Sequence, residues 1–172
     1  NLMDWVYMSA TLLKNFQKCE AQAFDGLRYP SENNALALLV GNYLHSHFES
    51  DKAHQEFIDE HESRIMTRAG KLRSEFKQAD LMINRLEDDA MFNFFYNSPN
   101  SEKEVILDGA LYGRPWKARI DSLNVKDGYF CDLKTTRDIH KRYWSVERHE
   151  WVSFFDAYNY ALQMGAYKKL LQ

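Results

Sequence analysis

The chain has 172 residues, 45% of them hydrophobic and 27% charged, which suffices for one domain with a real core. Its formal net charge is −3, and no run approaches the roughly 18 apolar residues of a membrane-spanning helix. The two cysteines, Cys19 and Cys131, form no spaced pair; this excludes zinc ribbons and four-cysteine iron–sulfur sites and fits a reducing, cytoplasmic setting. The opening Asn1-Leu2-Met3-Asp4-Trp5 lacks the basic-then-apolar order of a signal peptide, and Asn at position 1 reads as the start of a trimmed or partial chain.

In chain order, Ser9 precedes Leu12, Leu13, Phe16, Cys19 and Ala23 at helical spacing, with Gly26 as the expected stop. The cluster Tyr29-Pro30-Ser31-Glu32-Asn33-Asn34 reads as a turn before a second helix, from near Ala35 through Leu38, Leu39 and Leu44 towards Phe48. Residues 51–96 stay helix-compatible apart from Gly70. Phe76, Ala79, Ile83 and Leu86 mark one apolar face, Asp88-Asp89 punctuates it, and 97–101 is the clearest loop. The period then changes. Val105-Ile106-Leu107 and Ala110-Leu111-Tyr112, a turn at Gly113, and Trp116 to Ile120 read as strand, turn, strand. Asp127-Gly128 starts a further hairpin, and the sequence from about Ile139 to the end returns to helix. Helical residues 1–96, strands over about 103–134 and a helix over about 139–172 make one α/β (α+β) domain: a small sheet built on a three-stranded meander, flanked by helices. No repeat and no linker long enough to split the chain is evident.

Charge is unevenly spread. Residues 1–110 carry 11 basic and 18 acidic side chains, whereas residues 111–150 carry 9 and 6. A positive patch around an acidic site suits a pocket that holds a polyanion, though an ordinary solvated surface would look the same.

The chemistry concentrates between Asp121 and Lys134. Asp132 and Lys134 are two apart in a strand and project to one face, and pairing across the hairpin brings Asp121 close to Asp132. Two carboxylates beside one ammonium can hold a hard cation and position a water for phosphodiester hydrolysis. A lone Asp-x-Lys is common on surface strands, but the apolar lead-in Tyr129-Phe130-Cys131 implies a buried strand that emerges at its charged end. His45, in Gly41-Asn42-Tyr43-Leu44-His45, is either a packed core histidine or a metal ligand. His47, His54 and His61 recur at sevens among charged residues and read as a solvated helix face. Gln163 and Tyr167 share a helix face and can bond phosphate or stack on a base, or can cap an amphipathic helix. Thr135 and Arg137 suit phosphate contacts or a plain strand-to-helix cap.

Taken in order, Gly41-x-x-x-His45, Gly113…Asp121, Asp132-x-Lys134-Thr-Thr and Gln163-x-x-x-Tyr167 resemble the PD-(D/E)xK nuclease superfamily, in the branch of RecE-type exonuclease VIII and the RecB nuclease domain. The chain is similar to phage- and prophage-encoded exonucleases of the RecE type, from Tyr7-Met-Ser-Ala-Thr-Leu-Leu-Lys14 onward. The resemblance implies a restriction-endonuclease-like core and a magnesium or manganese ion held by His45, Asp121, Asp132 and the carbonyl of Leu133. It implies Lys134 assisting the attacking water, and Gln163, Tyr167, Thr135 and Arg137 contacting substrate. It also matches Glu104 to an acidic position of some relatives. The second acid is Asp132, the usual residue in the RecE and RecB branch, where many superfamily members have Glu. Relatives usually continue into a further strand and helix, so the chain reads as a fragment or as a remnant lacking part of the sheet.

The function so implied is a metal-dependent deoxyribonuclease, an exonuclease acting on linear duplex ends in phage-type recombination or repair, in a bacterial or phage-infected cytoplasm. A single-strand annealing protein and further copies of the chain are the implied partners. The rivals are a catalytically silent DNA-binding or assembly module, a superfamily nuclease with a restriction or repair task, and a helical protein-interaction domain.

Overall fold

The Ser9 hydroxyl accepts from Leu12 N at 3.1 Å, and this cap starts helix α1 (Ala10–Lys18). The computed structural model describes residues 6–29 and 35–172, so the first five residues and most of the expected turn cluster lie outside the described residues. The single helix expected from Ser9 to Gly26 is two. The backbone is extended at Cys19, and α2 (Glu20–Arg28) runs past Gly26. The break folds the apolar stripe back on itself, so that Phe16 and Phe24 meet edge to face with centroids 5.0 Å apart.

The chain divides into two compact units, each assembled from separated stretches. The first takes Asn1–Glu32, Ile106–Arg119 and Thr136–Gln172; the second takes Asn33–Val105 and Ile120–Thr135. No linker is legible in the sequence because neither unit is a continuous segment.

In the second unit, helix α3 (Leu36–Glu49) packs against α4 (Asp51–Glu60) and α6 (Ser74–Glu87), with the short α5 (Glu62–Ile65) and α7 (Ala90–Phe95) beside them. Ser50 caps α4, and Asp89 caps α7 by accepting from Met91 N and Phe92 N, so the Asp88-Asp89 punctuation holds. Leu44, Ile65, Phe76, Ala79 and Ile83 form the core between these helices, and Cys131 and Leu133 pack onto it.

Strands β1 (Glu102–Leu111), β2 (Arg114–Asn124) and β3 (Tyr129–Cys131) form the expected meander in the order β1-β2-β3. The β1–β2 turn is Tyr112-Gly113, both with positive φ, the two-residue geometry that matches strand twist and favours glycine. In the second unit β2 is buried without interruption from Ile120 to Asn124, as a central strand must be. Its register with β3 pairs Ser122 with Cys131 and Asn124 with Tyr129. The Asn124 amide fixes the hairpin by donating to Asp127 Oδ2 (2.8 Å) and the Tyr129 hydroxyl (3.1 Å), while its oxygen accepts from Asp127 N (3.0 Å).

In the first unit, Met8 adds a parallel bridge to Trp116, through Met8 N to Pro115 O (2.8 Å) and Lys117 N to Met8 O (2.9 Å). The expectation of helix from Ile139 onward is corrected here. Residues 143–152 form a hairpin, β4 (Tyr143–Ser145) with β5 (Glu150–Val152), before α8 (Phe154–Ala157) and α9 (Tyr160–Leu170). The reason is a local period of two. Tyr143 and Val152 turn inward and Trp144 and Trp151 outward, while His149 at φ 53° closes the turn. Among the described residues no helix is long and apolar enough to cross a membrane.

The three histidines expected on a solvated face are half-buried and engaged. His47 Nε2 lies 2.8 Å from Glu87 Oε1, and His61 stacks on Phe57. His54 Nδ1 lies 2.9 Å from Ser46 Oγ, whose hydroxyl donates to Tyr43 O; the imidazole therefore donates to the serine oxygen. Burial, then His47, holds His54 below the ordinary histidine range, against smaller opposing effects of Asp80 and Asp51. Unfolded chain therefore binds a proton at His54 before the folded chain does, and stability is lost as pH falls below about 6.5. Urea unfolding of wild type and His54→Gln across pH 5–7.5 should show the wild type losing more stability than the variant on the acid side. A parallel loss in both proteins would refute the assignment.

Candidate metal centre

The glycine of Gly41-x-x-x-His45 sits where α3 meets the chain that follows β3. A Cβ on Gly41 would lie 3.1 Å from Thr135 Oγ1, tighter than ordinary contact, so a larger residue would require the threonine side chain to shift. One turn on, His45 Nδ1 lies 3.6 Å from Asp121 Oδ2. The same carboxylate oxygen accepts from Leu133 N at 2.7 Å. Extending the β2–β3 register by one step sets Asp121 opposite Asp132, as the hairpin pattern predicts.

Glu104 completes the group. His45, Glu104 and Asp121 each offer a ligand atom within 4.8 Å of the others. Glu104 is part of β1 yet has φ 53°, a left-handed conformation that a non-glycine residue adopts at a cost of about 1–2 kcal/mol. The sequence points to Glu104 only through the family resemblance, because nothing in strand alternation announces a kinked residue.

Asp132 is nearly sealed, its side chain 4% exposed, and it is ion-paired with Lys134. Burial pushes its carboxyl above the ordinary range; the Lys134 ammonium works against that shift, and the charge of Asp121 adds to it. Lys134 Nζ also reaches the Leu133 carbonyl at 3.5 Å. Behind the acids, Lys103 lies 3.6 Å above the Tyr96 ring and donates to Tyr96 O (2.5 Å) and Asn97 Oδ1 (3.0 Å). Burial lowers its amine to about 8, although Cys131 and Asp121 oppose the shift. The same acids and its own burial raise the Tyr96 phenol far above its ordinary range.

A nitrogen donor and two carboxylates converging in a part-buried site suit a divalent cation of the magnesium or manganese kind, and the residues fit such a group. Among the residues expected at the site, His45, Asp121, Asp132, Leu133, Lys134 and Thr135 all belong to the second unit. Gln163, Tyr167 and Arg137 belong to the first. There Gln163 Nε2 donates to the Tyr167 hydroxyl at 2.9 Å, both side chains being buried, while Arg137 is exposed. Lys14, absent from the expected set, donates to Gln163 Oε1 at 3.3 Å and to Tyr158 O at 3.2 Å. Only tertiary packing could reveal it, since Lys14 and Gln163 are 149 positions apart.

A helix-borne histidine, an acid on β2 and an Asp-x-Lys after β3 on one small sheet define the PD-(D/E)xK class of folds. The chain belongs to the family described as PDDEXK-like domain of unknown function (DUF3799), whose profile matches residues 9–172. A solved structure of a putative exonuclease from Eubacterium rectale is similar to it, with a TM-score of 0.81 and 28% sequence identity. That match covers 98% of this chain and 63% of the other, so the chain spans less than two thirds of that protein's length. The comparison with curated proteins returned no match.

The kink at Glu104 predicts an inverted glycine effect. At most strand positions Gly is less stable than Ala, but here Glu104→Gly should be more stable than Glu104→Ala by about 1 kcal/mol, because only glycine tolerates this φ freely. Both variants should lose most of the rise in unfolding midpoint that excess Mn²⁺ gives the wild type. Denaturant and thermal unfolding test both statements. Alanine equal to or better than glycine would mean that Glu104 is not held left-handed.

Proposed function

We propose that this protein is a magnesium- or manganese-dependent deoxyribonuclease of the RecE type, an exonuclease that hydrolyses linear duplex from its ends in phage-type recombination or repair. The observation that carries this reading is the convergence of His45, Glu104 and Asp121 in the same unit as the Asp132–Lys134 pair. Family membership and the similarity to a putative exonuclease support it.

In this reading His45, Glu104 and Asp121 hold the cation, with Asp132 and the Leu133 carbonyl completing its surroundings. When bound, the cation supplies Lewis acidity toward a phosphoryl oxygen and makes a nearby water easier to deprotonate. Asp121 is fixed for that task by Leu133 N, which holds one of its oxygens in place. Lys134, between Asp132 and the Leu133 carbonyl, orients the attacking water and stabilises negative charge developing on the phosphoryl group. Gln163 and Tyr167 position the strand, and Thr135 and Arg137 hold backbone phosphates without reading sequence. The cytoplasm of a bacterial host is the proposed setting, with a single-strand annealing protein as the proposed partner.

Linear and covalently closed circular duplex, incubated with the protein with and without Mg²⁺ or Mn²⁺, provide the test. Metal-dependent loss of the linear form with the circle spared supports the exonuclease. Cleavage of the circle would make it an endonuclease, and no cleavage of either would remove the activity.

The roles of two cations separate in kinetics. Lys134→Ala should lower the single-turnover rate by a factor on the order of 10²–10⁴ and leave the salt dependence of binding nearly unchanged. Arg137→Ala should instead make the slope of log affinity against log salt shallower by roughly 0.9. If Lys134→Ala weakens binding and spares the rate, the lysine is only a phosphate clamp.

A further inference from the structure

The β4–β5 hairpin in the first unit carries two tryptophans directly opposite each other, Trp144 on β4 and Trp151 on β5. Their rings meet at 5.7 Å and 70°, an edge-to-face contact that helps hold such short strands together. Hairpin stability alone would be served by burying that pair. Instead Trp144 is 51% and Trp151 60% exposed, and Val146 at the turn is 75% exposed. The other face is conventionally packed: Val152 is buried, Tyr143 rests against Tyr158, and α8 lies on both strands. The aromatic face is thus presented on a supported element.

Its surroundings favour a polyanion. The first unit carries 12 basic and 9 acidic side chains, against 10 and 16 in the second. Arg142 donates to the Trp151 carbonyl at 2.6 Å, which anchors a guanidinium beside the pair. Lys141 lies 5.1 Å from the centre of the Tyr143 ring, and Arg148 sits in the turn, 3.8 Å from Asp156. Of the nearby acids, Asp156 is paired with Arg148 and Asp138 accepts from His140 N, while Glu147 and Glu150 face solvent, so Arg142 beside the pair and the exposed Lys141 are the cations left to meet a phosphate. Exposed indoles with a guanidinium anchored beside them suit single-stranded nucleic acid. Every base offers a face to stack on, and the cations hold the phosphates on either side. Duplex DNA offers no free base faces and would leave the tryptophans unused.

We infer that the β4–β5 hairpin is a single-strand DNA-binding platform, on which bases stack against Trp144 and Trp151 while Lys141 and Arg142 hold the phosphates. The inference rests on the nuclease reading only for its biological use, in which the platform takes the unpaired strand at a processed end.

The test is binding by the intact chain in EDTA, where cleavage plays no part. Fluorescence anisotropy compares an oligothymidylate with an abasic strand of equal length and charge. The wild type should prefer the strand with bases by on the order of 10-fold, with quenching of tryptophan emission. Trp144→Ala and Trp151→Ala should each lose most of that preference and keep their affinity for the abasic strand. Trp144→Phe, which retains a ring, should keep much of the preference, and its far-ultraviolet circular dichroism should match wild type. Equal binding of both strands by the wild type, or an undiminished preference in the alanine variants, would overturn the platform and leave the tryptophans as a hairpin staple. Because binding is read without metal and cleavage separately with Mg²⁺ or Mn²⁺, a protein that prefers bases but never cleaves DNA in the metal assay would sink the nuclease and keep the platform. One that degrades linear duplex without base preference would do the reverse.

Discussion

Asp121 joins three parts of the second unit that are far apart in sequence: its Oδ2 accepts from the backbone of Leu133 and lies 3.6 Å from His45 of α3. For one carboxylate to make both contacts, the β2–β3 register must be right to the residue, since a slip of one would turn Asp121 to the other face. That register is secured from both sides. Ser122 is wholly buried and donates to Tyr96 O at 2.7 Å, and Asn124 locks the turn.

Such an arrangement carries an electrostatic cost. Asp121 and Asp132 lie on adjacent chain segments in a site that excludes much of the solvent, and the charge of Asp121 adds to the burial that disfavours the ionised form of Asp132. Part of that cost is offset by Lys134 at Asp132 and part by the Leu133 amide at Asp121. In the proposed reading a divalent cation would relieve the remainder, which would link metal binding to stability. Lys103 belongs to the same balance. Its ammonium is partly buried behind the acids, held by the Tyr96 ring and carbonyl, and its lowered pKa records how little water reaches it.

The two units differ in chemistry as well as composition. The second concentrates acids and imidazoles around helices and the buried half of β2; the first has more cations than acids and carries exposed aromatic rings on its hairpin and at Phe155 and Tyr158. In the proposed nuclease reading both kinds of surface are needed. Acids attract the cation, and they would repel phosphate unless positive charge were supplied elsewhere in the molecule.

Much of this was legible in the residues. Helical spacing marked α3 and α6, Asp89 marked the start of α7, and the change from period 3.6 to period 2 after residue 101 marked the meander, because these signals are local and need only neighbouring side chains. Asp127-Gly128 was enough to predict that Asp121 and Asp132 would face each other, since a hairpin's turn sets its register. The break at Cys19 and the β4–β5 hairpin were not legible because no glycine or proline marks them, and strands of three residues are too short for their period of two to stand out. The same holds for the histidines of α3 and α4, whose charged neighbours in sequence are not their neighbours in space. Sequence by itself thus determined the main helices of the second unit and the three-stranded meander with its Asp127-Gly128 turn. Tertiary structure alone decided that Glu104 joins His45 and Asp121 through a left-handed kink, that Lys14 meets Gln163, and that Trp144 and Trp151 remain open to solvent. Those outcomes depend on contacts between distant segments, and no local pattern of side chains encodes them.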